Sequence, residues 1–446
     1  MLHTLSLTAA ADQIHDGSLR SVDLVRACLD RVERVDSDID AWALVDAERA
    51  LERAAECDAE VGSRELGPLH GVPIGVKDII ETAGLQTEAG SEFLRGHIPD
   101  RDAFVVSRLR KAGAIILGKT VTTEFACFDP ATTSNPWNPE HTPGGSSSGT
   151  AAATAARMIP AAIGSQTGGS ISRPAAYCGV VGFKPTYGRI SLRGVYQVSY
   201  SLDHLGSFAR SVDDAALLAR TMTAHDPKDP FSICRDDAFT RGEEATRAEP
   251  RLGVAQAFFF DAADPEVTQA TSDLTSQLSA SGASVLTVPL PKSFKDVHQM
   301  HRLIMYAEAA AYHETRFSRK PGTFRPGIRS LIEEGLLLPA VAYAEARRHQ
   351  AVFQNEMRSS FRDIDVLITP ATPTTAPRGL HSTGDPTFNV PWSYSGYPTV
   401  VLPVGLSRDG LPIAIQLIAQ PFDEARLLDV SRWVEHQIGF DTAPTL

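Results

Sequence analysis

The sequence predicts an α/β fold, with a mixed, largely parallel β-sheet core sandwiched between α-helices. Two observations predict it. Short apolar, β-branched runs recur along the chain with helical periodicities between them, the alternation expected of a parallel or mixed sheet. The chain is also long enough, at 446 residues and 43% hydrophobic, to bury one large core or two smaller ones.

Helices come first. Ser21 is placed to cap a helix whose apolar residues Val22, Val25, Leu29 and Val32 repeat at helical spacing. A second helix is expected over 46–60, rich in Ala, Leu and Glu. The pattern then changes at 72–80, a β-branched run that suits a buried strand yet contains Lys77. Further strands are expected at 114–117, 180–183, 252–255, 284–288, 365–369, 399–404 and 413–418. Helices are expected at 103–112, 150–157, 212–222, 266–281, 341–361 and 424–436. The charged stretch 235–251 reads as a surface connection, and 293–361 as a mostly helical, cap-like region.

Composition narrows the function. A net charge of −12, with no basic run longer than a pair, argues against a nucleic-acid surface. The five cysteines are scattered and form no CxxC pair, so neither a metal site nor a disulfide framework is expected, and a reducing, cytoplasmic setting fits. No stretch has the ~20 apolar residues of a membrane span, and the opening segment lacks the basic start of a secretory signal.

The informative segment is 144–186, where two glycine–serine loops, Gly144–Gly149 and Gly168–Ser170, flank a helix of small residues. Glycine lets backbone N–H groups converge on an anion, and a helix N-terminus adds its positive end. Neither loop carries the Gly-Lys-Ser/Thr of a nucleotide-binding loop. The G-x-S-x-G match centred on Ser147 lacks the preceding strand of a nucleophile elbow, because 135–143 holds three prolines.

These residues carry a resemblance. Gly144–Ser147, Thr167-Gly168-Gly169-Ser170-Ile171, Pro174-Ala175 and Cys178 through Thr186 are similar to the signature block of the amidase signature family. Gly71 through Asp78 resembles that family's lysine segment, and Leu117–Thr120, Ser201–Asp203, Gly396–Pro398 and Gly410–Pro412 with Gln416 extend the likeness over most of the chain. The resemblance implies a single amidase domain over 1–446, with N-terminal helices in 1–60 and a signature core in 61–225. It also implies a catalytic Lys77, a bridging Ser146 preceded by a cis peptide bond, and a nucleophilic Ser170. The N–H groups of Thr167, Gly168, Gly169 and Ser170 would form the oxyanion hole, with Ser147, Gln166 and Arg173 supporting the site from behind.

The chemistry agrees. A serine hydroxyl needs a base, and of the 13 histidines only His141 lies near either loop. A lysine serves once burial lowers its pKa, and Ile74, Val76, Ile79 and Ile80 offer the apolar setting. Asp78 would oppose this, except that strand neighbours point to opposite faces. Three positions depart from the family pattern: Gln166 stands for an aspartate, Ser172 for an arginine, and Ser148 for a glycine whose positive φ would strain serine.

The expected function is hydrolysis of a small carboxamide, ester or carbamate through a serine acyl-enzyme, without metal or organic cofactor. The alternative is the glutaminase (A) subunit of a tRNA-dependent amidotransferase; a catalytically dead scaffold is the third class. Pocket walls are expected from 127–135, 196–200 and 300–345, around a compact or aromatic acyl group. A homodimer is compatible with the resemblance, and the sequence holds no test of it.

Overall fold

The computed structural model describes residues 1–63, 65–235, 239 and 249–446. Its centre is a sheet of strands β1 (Trp42–Val45), β2 (Pro73–Lys77), β3 (Ile115–Thr120), β4 (Ala161–Gln166), β5 (Val181–Lys184), β6 (His204–Ala209), β7 (Arg251–Val254), β8 (Ser284–Thr287), β9 (Val366–Pro370), β10 (Thr399–Leu406) and β11 (Pro412–Ile418). Their spatial order is β1-β3-β2-β4-β6-β5-β10-β11-β9-β7-β8.

The sheet is mixed, as expected. Its parallel pairings fall in two groups: β2 with β3 and β4, and β7 with β8 and β9. The pairings between and outside these groups are antiparallel. Crossover helices explain the parallel groups, since only a long connection returns the chain in the same direction. The 235–251 connection falls largely outside the described residues.

Three strands go beyond the sequence reading. β4 reads AAIGSQ and β6 reads HLGSFA, both too poor in β-branched residues to show a strand pattern, yet every residue in them is buried. β1 is a four-residue edge strand, WALV. Burial, not propensity, makes β4 and β6 strands.

A second correction concerns Ser21. It starts helix Ser21–Ile39 but does not cap it; its hydroxyl donates to Gly71 O at 2.6 Å. The Asp58 carboxylate caps instead, accepting from the N–H groups of Ser21 and Val22. The capping group comes from another helix, which local reading could not see.

Helix Ser148–Ala155 lies wholly inside the protein. Its sequence SGTAAATA allows this, because small side chains let backbones approach. A Cβ on Gly149 would sit 2.1 Å from Ala41 O, so only glycine fits there. Ser148 is helical and carries no positive φ, so the strain its replacement of glycine could have caused is absent. Helix Val297–Arg319 packs against helices Pro326–Leu336 and Ala340–Ser360; it brings His301 and Met305, and Pro326–Leu336 brings Leu331, to the site described next.

Candidate active site

Lys77 ends β2, fully buried. Its Nζ lies 2.7 Å from Ser146 Oγ and 2.8 Å from Ser165 Oγ. Burial lowers its pKa to about 7, with Asp203 and Cys127 pulling weakly the other way. Asp78 is not among these influences. It turns to the opposite face, where Lys119 pairs with it at 3.3 Å, as strand alternation requires.

Ser146 follows a cis Gly145–Ser146 peptide and sits just before the buried helix. Ser147 bonds across to β4 through Ser165 O at 3.2 Å, and Ser148 donates to Gly144 O at 2.8 Å. These two hydroxyls hold the loop, leaving Ser146 to face Lys77.

The second glycine loop joins β4 to helix Ser172–Cys178. Gln166 shapes it: Oε1 accepts from the N–H groups of Ile171 and Ser172 at 2.7 and 2.8 Å. Its Nε2 donates to Ser393 Oγ, which in turn donates to Gly168 O at 2.7 Å. A neutral amide can both accept and donate here, whereas a carboxylate could only accept. Thr167 Oγ1 donates to Asp203 Oδ1 at 2.6 Å, and Thr167 O accepts from His301 Nε2 at 3.0 Å. With the carbonyls of Thr167 and Gly168 so engaged, planar trans peptides turn the N–H groups of Gly168 and Gly169 the opposite way. Behind Gly169 the space is tight, because a Cβ there would come 2.7 Å from Asn389 Oδ1.

Ser170 closes the loop, partly exposed to a cavity of about 300 Å3. Ser146, Thr167, Gly168, Gly169 and Arg173 line the same cavity, so the two glycine loops converge on it, with Lys77 in contact with Ser146. Ser170 Oγ has no hydrogen-bond partner among the described residues, so its link to Ser146 is not made. Such bonds commonly tighten only around substrate. Arg173 donates through its two terminal nitrogens to Gly145 O, Gly384 O and Thr383 Oγ1 at 2.7, 2.7 and 2.9 Å. It thereby ties the peptide before Ser146 to segment 383–384.

The remaining walls mix hits and misses. Cys127, Phe128, Val198, His301, Met305 and Leu331 come from expected segments. Segment 381–386 and Val390 were not foreseen, nor were Ser165, Ser393 and Asn389 behind the loops. Only Ser165 left a sequence trace, as a polar residue one step before Gln166 in the glycine-rich block. His141 is elsewhere, its Nδ1 on Ala376 O. A second cavity of about 280 Å3, near Arg157, Arg210 and Glu435, includes none of Lys77, Ser146 or Ser170.

A buried amine with its pKa lowered to about 7, serine hydroxyls and a glycine loop beside one cavity are equipment suited to a hydrolase in an α/β frame. The chain belongs to the amidase family, whose model matches residues 23–428. It is 33% identical to the glutamyl-tRNA(Gln) amidotransferase A subunit of Geobacter sp. (strain M21), over 97% of each chain. Among solved structures, it resembles one from a vestigial protein complex tied to the origins of an s-triazine catabolic enzyme, with a TM-score of 0.89, 31% identity, and coverage of 99% of this chain and 100% of that one. The peptide amidase of Stenotrophomonas maltophilia matches with a TM-score of 0.84 and 28% identity, covering 99% of this chain and 98% of that one. Among the described residues, no helix is long and apolar enough to cross a membrane.

Proposed function

We propose that this chain hydrolyses the C–N bond of a small carboxamide, with Ser170 as nucleophile and Lys77 as base acting through Ser146. The observation that carries the reading is the 2.7 Å contact between a fully buried Lys77 and Ser146 at the wall of the cavity that also holds Ser170. Neutral Lys77 takes the Ser146 proton as Ser146 takes that of Ser170, and Ser170 Oγ bonds to the substrate carbonyl carbon. The oxygen gains negative charge beside the N–H groups of Thr167, Gly168, Gly169 and Ser170. Ser146 then returns a proton to the leaving nitrogen, the C–N bond breaks, and water releases the acyl group by the same path. Esters and carbamates would follow the same course.

The cavity suits a compact acyl group, being at the small end for ligand sites. Its apolar walls include Phe128, Met305 and Leu331. The charged and titratable groups lining it are Arg173, His301, His381 and Cys127, with no carboxylate among the described lining residues. A free amino-acid amide such as glutamine would bring an ammonium without an anionic partner, which favours a substrate lacking that group.

A second reading has the weight of the curated relatives. Full-length identities of 33–36% to amidotransferase A subunits favour a glutaminase subunit that works with a protein partner. One experiment separates the two: a panel of aliphatic and aryl amides, carbamates, ureas and glutamine, assayed with the chain alone. Turnover of small amides, lost in Ser170→Ala together with fluorophosphonate labelling, supports the main reading. Glutaminase activity arising only when partner chains are added supports the second. Undiminished labelling of Ser170→Ala refutes the nucleophile.

A further inference from the structure

Away from the cavity, the end of helix Ala47–Glu60 meets the turn before β2 and brings together Cys57, Glu60 and His70. The cysteine sulfur, one carboxylate oxygen and one ring nitrogen all lie within 4.8 Å of one another. Cys57 and His70 are fully buried, and Glu60 is partly exposed.

The histidine tautomer is what gives the cluster meaning. His70 Nε2 lies 2.9 Å from Cys57 O. A carbonyl only accepts, so Nε2 carries the hydrogen, and in the neutral ring Nδ1 is left as a bare lone pair. That Nδ1 is buried and has no hydrogen-bond partner among the described residues. It faces Glu60 Oε2 at 3.7 Å. Two acceptors facing each other in a buried place repel unless something positive lies between them. Arg53 also donates to both carboxylate oxygens of Glu60, at 3.2 and 3.3 Å.

A proton on Nδ1 would relieve the repulsion but would give Cys57 no part in it. A metal ion uses all three groups. Ligand atoms about 2.0–2.2 Å from a tetrahedral ion stand about 3.3–3.5 Å apart, close to the spacing seen between His70 and Glu60. A second ring nitrogen held by a backbone carbonyl is also the usual way of aiming a metal-binding histidine.

We propose that Cys57, Glu60 and His70 form a binding site for a zinc-class divalent ion, fastening the helix end to the turn that leads into β2. On binding, the Cys57 thiol loses its proton to solvent and coordinates as thiolate. His70 coordinates through Nδ1 and Glu60 through a carboxylate oxygen, and a water fills the fourth position. Lys77 stands at the far end of β2 from His70, so the ion's role is structural.

The test is a Co2+ titration of the full-length protein after chelation, followed by Zn2+ displacement. The expected result is a stoichiometric thiolate-to-cobalt charge-transfer band that Zn2+ removes, and a higher melting temperature with Zn2+. Cys57→Ser and His70→Gln should lose the band, and Glu60→Gln, at a partly exposed position that tolerates change, should weaken Co2+ binding. Cys234→Ser removes the exposed thiol and should leave the band unchanged. Absence of the band in the wild-type chain overturns the site, as does its survival in folded Cys57→Ser, its loss in Cys234→Ser, or Co2+ binding unaltered by Glu60→Gln. A His70 ring protonated on Nδ1 by NMR in the Zn2+-equilibrated protein overturns it equally.

Discussion

Two lysines on neighbouring strands are equally buried and held differently. Lys77 ends β2 and Lys119 lies on β3, and neither has any exposed surface. The parallel register pairs Val76 with Lys119, so Lys119 shares a face with Val76 and Lys77 points to the other. On its face Lys119 meets the Asp78 carboxylate at 3.3 Å, Ile80 O at 2.7 Å and Thr87 Oγ1 at 2.7 Å. Among the described residues, Lys77 hydrogen-bonds to the hydroxyls of Ser146 and Ser165. Burial drives both pKa values down; the carboxylate holds Lys119 at about 8, while Lys77 falls to about 7. The difference lies in the partners. Acceptors such as a carboxylate and a carbonyl favour an ammonium, whereas hydroxyls can donate to a neutral amine and so tolerate the uncharged form.

The sharpest way to break this comparison is to remove each amine in turn. Lys77→Met should cut turnover by about 10²–10⁴-fold, the usual worth of a general base, while the protein stays folded. Lys119→Met should instead destabilise the fold by about 3–5 kcal/mol, because it strands the Asp78 carboxylate in the interior. Urea unfolding and steady-state kinetics on both variants check this. If Lys119→Met proves as inactive as Lys77→Met while equally stable, the assignment of roles collapses.

Acidity gives the next test. Below its pKa Lys77 is protonated and cannot accept a proton, so kcat/KM should fall about tenfold per pH unit below roughly pH 7 and level off above it. A profile flat from pH 5 to 9 would mean that Lys77 is not the base. The smallest effect is expected from Asp203, which burial raises to about 7 and whose charge favours the ammonium of Lys77. Asp203→Asn removes that charge, so the acid limb should move to lower pH by about one unit or less. A move to higher pH would show that Asp203 does not act on Lys77 by charge, and no move would assign the limb to another group.

The two lysines also mark how far the sequence could be read. Lys77 stood out because it interrupts an apolar, β-branched run and falls in a family-like segment. Its partner Ser146 stood out through the glycine–serine loop. Ser165 did not, because nothing local separates a serine facing an amine from one facing the sheet. His301, Ser393 and Asn389 come from helices and loops far along the chain and meet the second glycine loop only after folding. β4 was missed for a related reason: alanine and glycine are chosen there for close packing, which erases the alternation that marks a strand.

Local chemistry therefore determined the α/β class, most strands and helices, the two glycine loops, the family resemblance and the residues Lys77, Ser146 and Ser170. Those features depend on near neighbours in the chain, through backbone preferences and side-chain alternation. The tertiary structure alone decided which hydroxyls meet Lys77, that Asp58 caps the helix beginning at Ser21, and that segment 381–386 walls the cavity. It also decided that His70 Nδ1 faces Glu60 Oε2 at 3.7 Å. Such contacts depend on distances between segments remote in sequence, and only the packing of the whole sheet and its helices sets them.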